Sequence, residues 1–229
     1  MIIKLYYLLI LILIILIVKF FHKSQKNEDL GYLHKEELNS NIFVPIEEYS
    51  EYFFENIDFE QAFFQFTGLD YLGRAGIANA VIDRVMINTL VPRNYKRREY
   101  ISYKPTGYNQ KEYQSIDNSY LYNRCHLIGY QLIGNNDYRN LITGTRDFNV
   151  KGMLPIENAI YEFIKNEDGI VKYEVIPDFR KEELVARGAY IKAIGLARGE
   201  VKLKINVYVK NVQEGIKIDY KTGISRKER

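Results

Sequence analysis

From Val201 to Val209 apolar and mostly polar residues alternate without a fault, and this period of two predicts a strand with one buried face. Val171 to Ile176 and Leu184 to Leu196 are also rich in strand formers, and Ile216 to Tyr220 reads as a short closing strand before the turn residues Thr222 and Gly223. A different period runs through Ile156, Ala159, Ile160, Phe163 and Ile164, spaced i, i+3, i+4, i+7 and i+8. It predicts an amphipathic helix over about Pro155 to Lys165, with proline in the first turn, where its missing N–H is tolerated. Upstream, Tyr120 to Ile128 reads as a strand. Ile77 to Met86, entered through the turn glycines Gly73 and Gly76, reads as a short helix, with a strand as the alternative. The succession of mixed elements and then antiparallel strands predicts an α+β fold with a central antiparallel sheet.

At the N-terminus the pattern loses its period. Ile2 to Phe21 is apolar except for Lys4 and Lys19, close to the roughly 20 residues that cross a bilayer core. Residues 1–22 are therefore expected to form one transmembrane helix, an uncleaved anchor. A cleaved signal peptide has an apolar centre of about 7–15 residues ending at small residues, and no such site follows Val18. Residues 23–50, with Glu36, Glu37, Glu47 and Glu48, read as a polar tether, and 51–229 as one globular domain. Lys19, Lys23 and Lys26 after the span outweigh Lys4 before it, which taken alone favours a cytoplasmic body.

A chain of 229 residues with 47% hydrophobic content suits one sizeable domain plus an appendage. A net charge of +3 permits a polyanionic partner without demanding one. The densest cationic stretch is Arg93, Lys96, Arg97 and Arg98, interleaved with Tyr95 and Tyr100, a composition suited to a phosphate backbone and to stacking on bases. Cys125 is the single cysteine, which excludes an internal disulfide and a cysteine-based zinc site. His126 is the only histidine outside the N-terminal region, where His22 and His34 lie. Arg124 precedes it, and Asn140 and Asn149 follow. Together they offer a proton acceptor, a cation and carboxamide oxygens without a cluster of carboxylates.

Asn123-Arg124-Cys125-His126 resembles the Asp-Arg-Gly-His motif of the DNA/RNA non-specific endonucleases with a ββα-metal fold, in the branch of streptococcal-type membrane-anchored DNA-entry nucleases and secreted DNases. Leu69 to Ala78, Lys104 to Gly107, Tyr122 to Gly134, Asn140 to Glu157 and Asn211 to Gly223 extend the likeness in family order. Two motif positions depart from the pattern: Asn123 stands for aspartate and Cys125 for glycine. The resemblance implies His126 as general base and Asn149 as the one direct protein ligand of Mg2+, with Mn2+ as a substitute. It further implies Glu157 behind the metal orienting its waters, Arg124 bracing the site or gripping phosphate, and Asn140 holding the loop or touching substrate. Arg74, Arg146 and the Arg93–Arg98 run become candidates for nucleic-acid binding. The implied activity is sequence-non-specific hydrolysis of DNA and RNA to 5′-phosphate ends on the outer side of a bacterial membrane. The departures at Asn123 and Cys125 motivate one rival, a membrane-tethered DNA receptor with impaired catalysis.

Overall fold

A computed structural model describes residues 41–46, 59, 61–92 and 101–228. The expected membrane anchor at 1–22, most of the tether, and Arg93 to Arg98 lie outside the described residues. Among the described residues no helix is long and apolar enough to cross a membrane.

The alternating segment forms β8 (Glu200–Lys210), which buries Leu203, Ile205, Val207 and Val209. It pairs with β7 (Gly188–Ala197) through a tight hairpin whose loop residues, Arg198 and Gly199, both have positive φ. That backbone matches the right-handed twist of the two strands. β6 (Ile170–Pro177) follows antiparallel on β7. The strand expected from Leu184 begins only at Gly188, because the amides of Leu184 and Val185 are both drawn to the Tyr220 carbonyl at 3.0 Å.

Beyond β6 come β3 (Ala78–Ile82) and β2 (Phe63–Phe66), and at the other edge β1 (Phe43–Pro45) pairs with β8. The result is a six-stranded antiparallel sheet, β1-β8-β7-β6-β3-β2. Two expectations are corrected here. Ile77 to Met86 is not one helix: it is strand through Ile82, and α1 (Arg84–Leu90) starts after Asp83, whose carboxylate accepts from the Met86 amide at 2.7 Å. An N-cap of this kind marks where a helix can begin. The other concerns the tether, which ends earlier than residue 50: Ile42 and Phe43 are buried against the body, an edge strand too short to leave a period in the sequence.

One face of the sheet carries a hairpin and a helix that follow each other in the chain. β4 (Tyr122–His126) pairs with β5 (Leu141–Thr145), with His126 opposite Leu141, and the short α2 (Tyr130–Ile133) lies in their connection. A wide π-type turn over Phe148–Met153 then leads into α3 (Leu154–Glu167). The predicted apolar stripe of α3 is buried, at about 1.5–3 kcal/mol for each large side chain fully removed from water. The helix sits close because Gly195 lacks a side chain: a Cβ there would overlap the Phe163 ring. The closing strand is β9 (Ile216–Ile218), shorter than expected and paired with β10 (Ser225–Lys227) in a separate ribbon. Asn211 ties the layers together, accepting from the Thr145 amide and donating to the carbonyls of Thr143 and Ala186.

Candidate active site

β4 ends at His126, and the motif around it alternates across the strand: Cys125 is fully buried while Asn123, Arg124 and His126 are partly open. Cys125 does not have the positive φ that would require glycine. Its room comes from the facing strand, where a Cβ on Gly144 would overlap the Cys125 sulfur. The small residue the motif lacks at 125 is thus present at 144. Burial holds the Cys125 thiol well above its usual range, so it is inert.

His126 Nε2 lies 2.8 Å from the side-chain oxygen of Asn136. A carboxamide oxygen only accepts, so Nε2 carries the proton and Nδ1 keeps its lone pair. Removal from water lowers the imidazole pKa, partly countered by the Asn136 bond. The ring is further held edge-on by Tyr130, with centroids 6.2 Å apart. A neutral, singly oriented imidazole is what a general base requires.

Asn140 does not face the cleft. It is completely buried, its oxygen accepts from the Ile128 amide at 2.9 Å and its nitrogen donates to the Ile128 carbonyl at 2.9 Å and to the Asn135 carbonyl at 3.4 Å. Its carboxamide clips together the two ends of the connection between β4 and β5, which delivers Asn136. The expected contact with substrate therefore has no geometric basis, whereas the loop-holding role does. Asn140→Ala is expected to destabilise the fold by about 2–4 kcal/mol, since it strands both backbone groups of Ile128 in the interior. Chemical denaturation with the Ala and wild-type chains measures it, and an unchanged midpoint contradicts it.

Asn149 sits in the π-type turn, a local widening found at functional sites, and its carboxamide has no hydrogen-bond partner among the described residues. Glu157, in the first turn of α3, is 8% exposed and lies against Gly129, where any Cβ would overlap its carboxylate. His126, Arg124, Asn149 and Glu157 together line one cleft of about 540 Å³. Asn123, Tyr130, Gln131, Asn136 and Asn158 share it. The Arg124 Nε donates to the Tyr103 carbonyl at 2.7 Å, and the guanidinium lies over the Tyr108 ring at 4.8 Å. The two Nη groups make no hydrogen bond to the described residues.

The donor set answers whether a metal suits the cleft. Among the described residues no group of three or more His, Cys, Asp and Glu could hold an ion, which argues against a protein-caged transition metal. What the cleft does present is the Asn149 carboxamide, without a partner among the described residues, and the nearby Glu157 carboxylate. Neutral and anionic oxygens in small number suit a hard cation that keeps most of its waters.

Other sequence candidates lie elsewhere. Arg74 is used up by Asp70, at 2.6–2.9 Å, and by the carbonyls of Lys181 and Glu183, and it is absent from the cleft lining. Arg146 pairs with Asp117 at 2.7 Å and is also outside the cleft. Both were counted for charge, and local carboxylates claim that charge. Asn136 went unnoticed in the sequence: ten residues from His126, in an Asn-Asn-Asp turn, it carried only a turn signal.

With the geometry in place, comparison adds relatives. The sequence model of the DNA/RNA non-specific endonuclease family matches residues 57–194. A deoxyribonuclease of Streptococcus dysgalactiae subsp. equisimilis is 32% identical over 136 residues, which cover 57% of this chain and 39% of that protein. The chain thus spans well under half the length of this curated relative. NucA from Streptococcus agalactiae, crystallised with magnesium, superposes with a TM-score of 0.64 over 82% of this chain and 84% of its own, at 23% identity; at that identity the likeness concerns the fold. Sda1 nuclease with bound zinc superposes with a TM-score of 0.59 over 70% of this chain and 78% of its own, at 27% identity.

Proposed function

The chain belongs to the DNA/RNA non-specific endonuclease family, and from that premise we propose that it is a metal-dependent endonuclease hydrolysing DNA and RNA without sequence preference. The observation that carries this reading is the meeting in one cleft of Arg124 and His126 from β4 with Asn149 and Glu157 from the π-type turn and the helix that follows it. His126 Nδ1 takes a proton from the water that attacks phosphorus, and the Asn136 oxygen steadies the imidazolium that results. Arg124 offers its Nη groups to a non-bridging phosphate oxygen, a geometry guanidinium matches well. The P–O3′ bond breaks and the departing oxygen takes a proton from solvent water, leaving a 5′-phosphate and a 3′-hydroxyl. Asn149, with Glu157 behind it, would hold Mg2+ or Mn2+, and a bound ion supplies charge compensation at the phosphate and the departing oxygen. Membership of a family described as non-specific supports cleavage without sequence preference.

The magnesium-bound NucA structure and the carboxamide-rich donor set support Mg2+ as the working ion. The named relatives include a deoxyribonuclease, which supports DNA as substrate. The apolar N-terminal run supports a membrane anchor; a catalytic body outside the cell follows from the nuclease reading, against the charge bias of Lys19, Lys23 and Lys26. The receptor rival loses one of its two motives, because Cys125 fits without strain. Purified full-length chain is expected to nick and then degrade plasmid DNA and to degrade RNA with Mg2+, to stop with chelator and to resume on adding Mg2+ back. A folded chain that retains DNA yet leaves it intact with both Mg2+ and Mn2+ would favour the receptor.

A further inference from the structure

A second groove, of about 440 Å³, is lined by Lys104, Tyr108, Asn109, Gln110 and Lys111 and closed by the start of β10 at Ser225. It is not an isolated dent. Arg124 lines the catalytic cleft, Tyr108 lines the second groove, and the guanidinium lies over that ring at 4.8 Å. The two depressions therefore share a wall.

The second groove is also fixed rigidly to the catalytic strand. Gln110 donates to the Tyr122 carbonyl at 2.6 Å and accepts from the Tyr122 amide at 2.9 Å, and Tyr122 begins β4. Asn109 anchors the far side by donating to the Thr222 carbonyl. Its charge is of one sign: Lys104 and Lys111 are exposed, no carboxylate lines the groove, and neither lysine makes an ion pair among the described residues. Lys111 Nζ instead reaches the Ser225 carbonyl at 3.4 Å and lies over the Tyr113 ring at 5.3 Å. Two cations in a groove whose lining holds no carboxylate, next to a cleft suited to a phosphodiester, are arranged for more phosphate.

We propose that this groove is a subsite for backbone phosphates of the nucleic-acid strand flanking the scissile bond, with Lys104 and Lys111 as its contacts. The inference rests on the endonuclease reading for the neighbouring cleft. Its consequence is that a polynucleotide is held by two depressions, whereas a small diester occupies one.

The test compares wild type with Lys104→Glu/Lys111→Glu and Lys104→Arg/Lys111→Arg in the full-length chain. Substrates are a duplex oligonucleotide and the small diester bis(4-nitrophenyl) phosphate. The Glu pair is expected to raise KM for the duplex about tenfold or more at 0.1 M salt with kcat preserved, to leave the small diester unaffected, and the Arg pair to restore wild-type behaviour. On the His126→Ala background, where binding is read by fluorescence anisotropy, the slope of log affinity against log salt is expected to shrink by about 1.8, or 0.9 per phosphate contact. An unchanged duplex KM overturns the subsite, and so does an equal loss on both substrates, which would mean damage to Arg124. Should wild type cleave neither substrate, the endonuclease reading fails; the anisotropy series still decides the subsite, by a loss of affinity with the Glu pair or by none.

Discussion

His126→Ala is expected to lower kcat for plasmid cleavage by about 10²–10⁴-fold, the usual contribution of a positioned general base, while DNA affinity and melting temperature stay near wild type. His126 is the only histidine in the described domain, so no neighbouring imidazole can substitute. The ring is held by one hydrogen bond to Asn136 and an edge contact with Tyr130, neither of which the fold depends on as it depends on Asn140. Quench-flow or gel-based kinetics at saturating metal would measure the loss. A variant that cuts within a few-fold of wild type would remove His126 from the mechanism.

The pH profile carries a sign that the same residue dictates. Burial lowers the His126 pKa from an ordinary value of about 6.5, and the base is active only when neutral. The acid limb of kcat is therefore expected below the ordinary imidazole value, with activity rising as pH climbs through it and level across neutrality. For stability the sign is the same: a lowered folded-state pKa costs stability as pH falls below the unfolded value, because the folded state resists taking the proton. An acid limb above the ordinary imidazole value would contradict the burial argument.

The second large effect is expected at Asn149. Asn149→Ala removes the unpartnered carboxamide of the π-type turn, and the Mg2+ concentration needed for half-maximal cleavage is expected to rise by about 100-fold or more, at the upper end of what changes around a metal site produce. Asn149→Asp, which keeps an oxygen donor, is expected to recover much of the metal response. Thermal melts against Mg2+ provide a readout independent of turnover, since an ion that binds only the folded chain raises its stability by RT ln(1 + [L]/Kd). Wild type should show that rise and Asn149→Ala should not at the same concentration. Equal metal responses of activity and of melting in the two chains would assign the ion to other donors.

Much of this architecture was written in local patterns. The β8 strand and the α3 helix follow from periods of 2 and 3.6, because their apolar residues face one core across many turns or pairs. Ile77 to Met86 admits both helix and strand in sequence because a strand buried on both faces is a short apolar run without a period, and only the Asp83 cap separates it from the helix that follows. The edge strand β1 was invisible for another reason: three residues paired to β8 draw their stability from a partner more than 150 positions away.

The site divides along the same line. That His126, Arg124, Asn149 and Glu157 line one cleft agrees with chemical types at spacings that resemble a nuclease family, since chemistry restricts which side chains can fill such positions. Asn136 orienting the imidazole, Asn140 serving as a buried clip, Arg74 and Arg146 spent on Asp70 and Asp117, and Gly144 making room for Cys125 could not be read that way. Each depends on which partner lies within hydrogen-bond or van der Waals reach, and folding alone sets those distances. Residue type and period along the chain state what each position can do; the approach of distant segments selects which of those capacities is used.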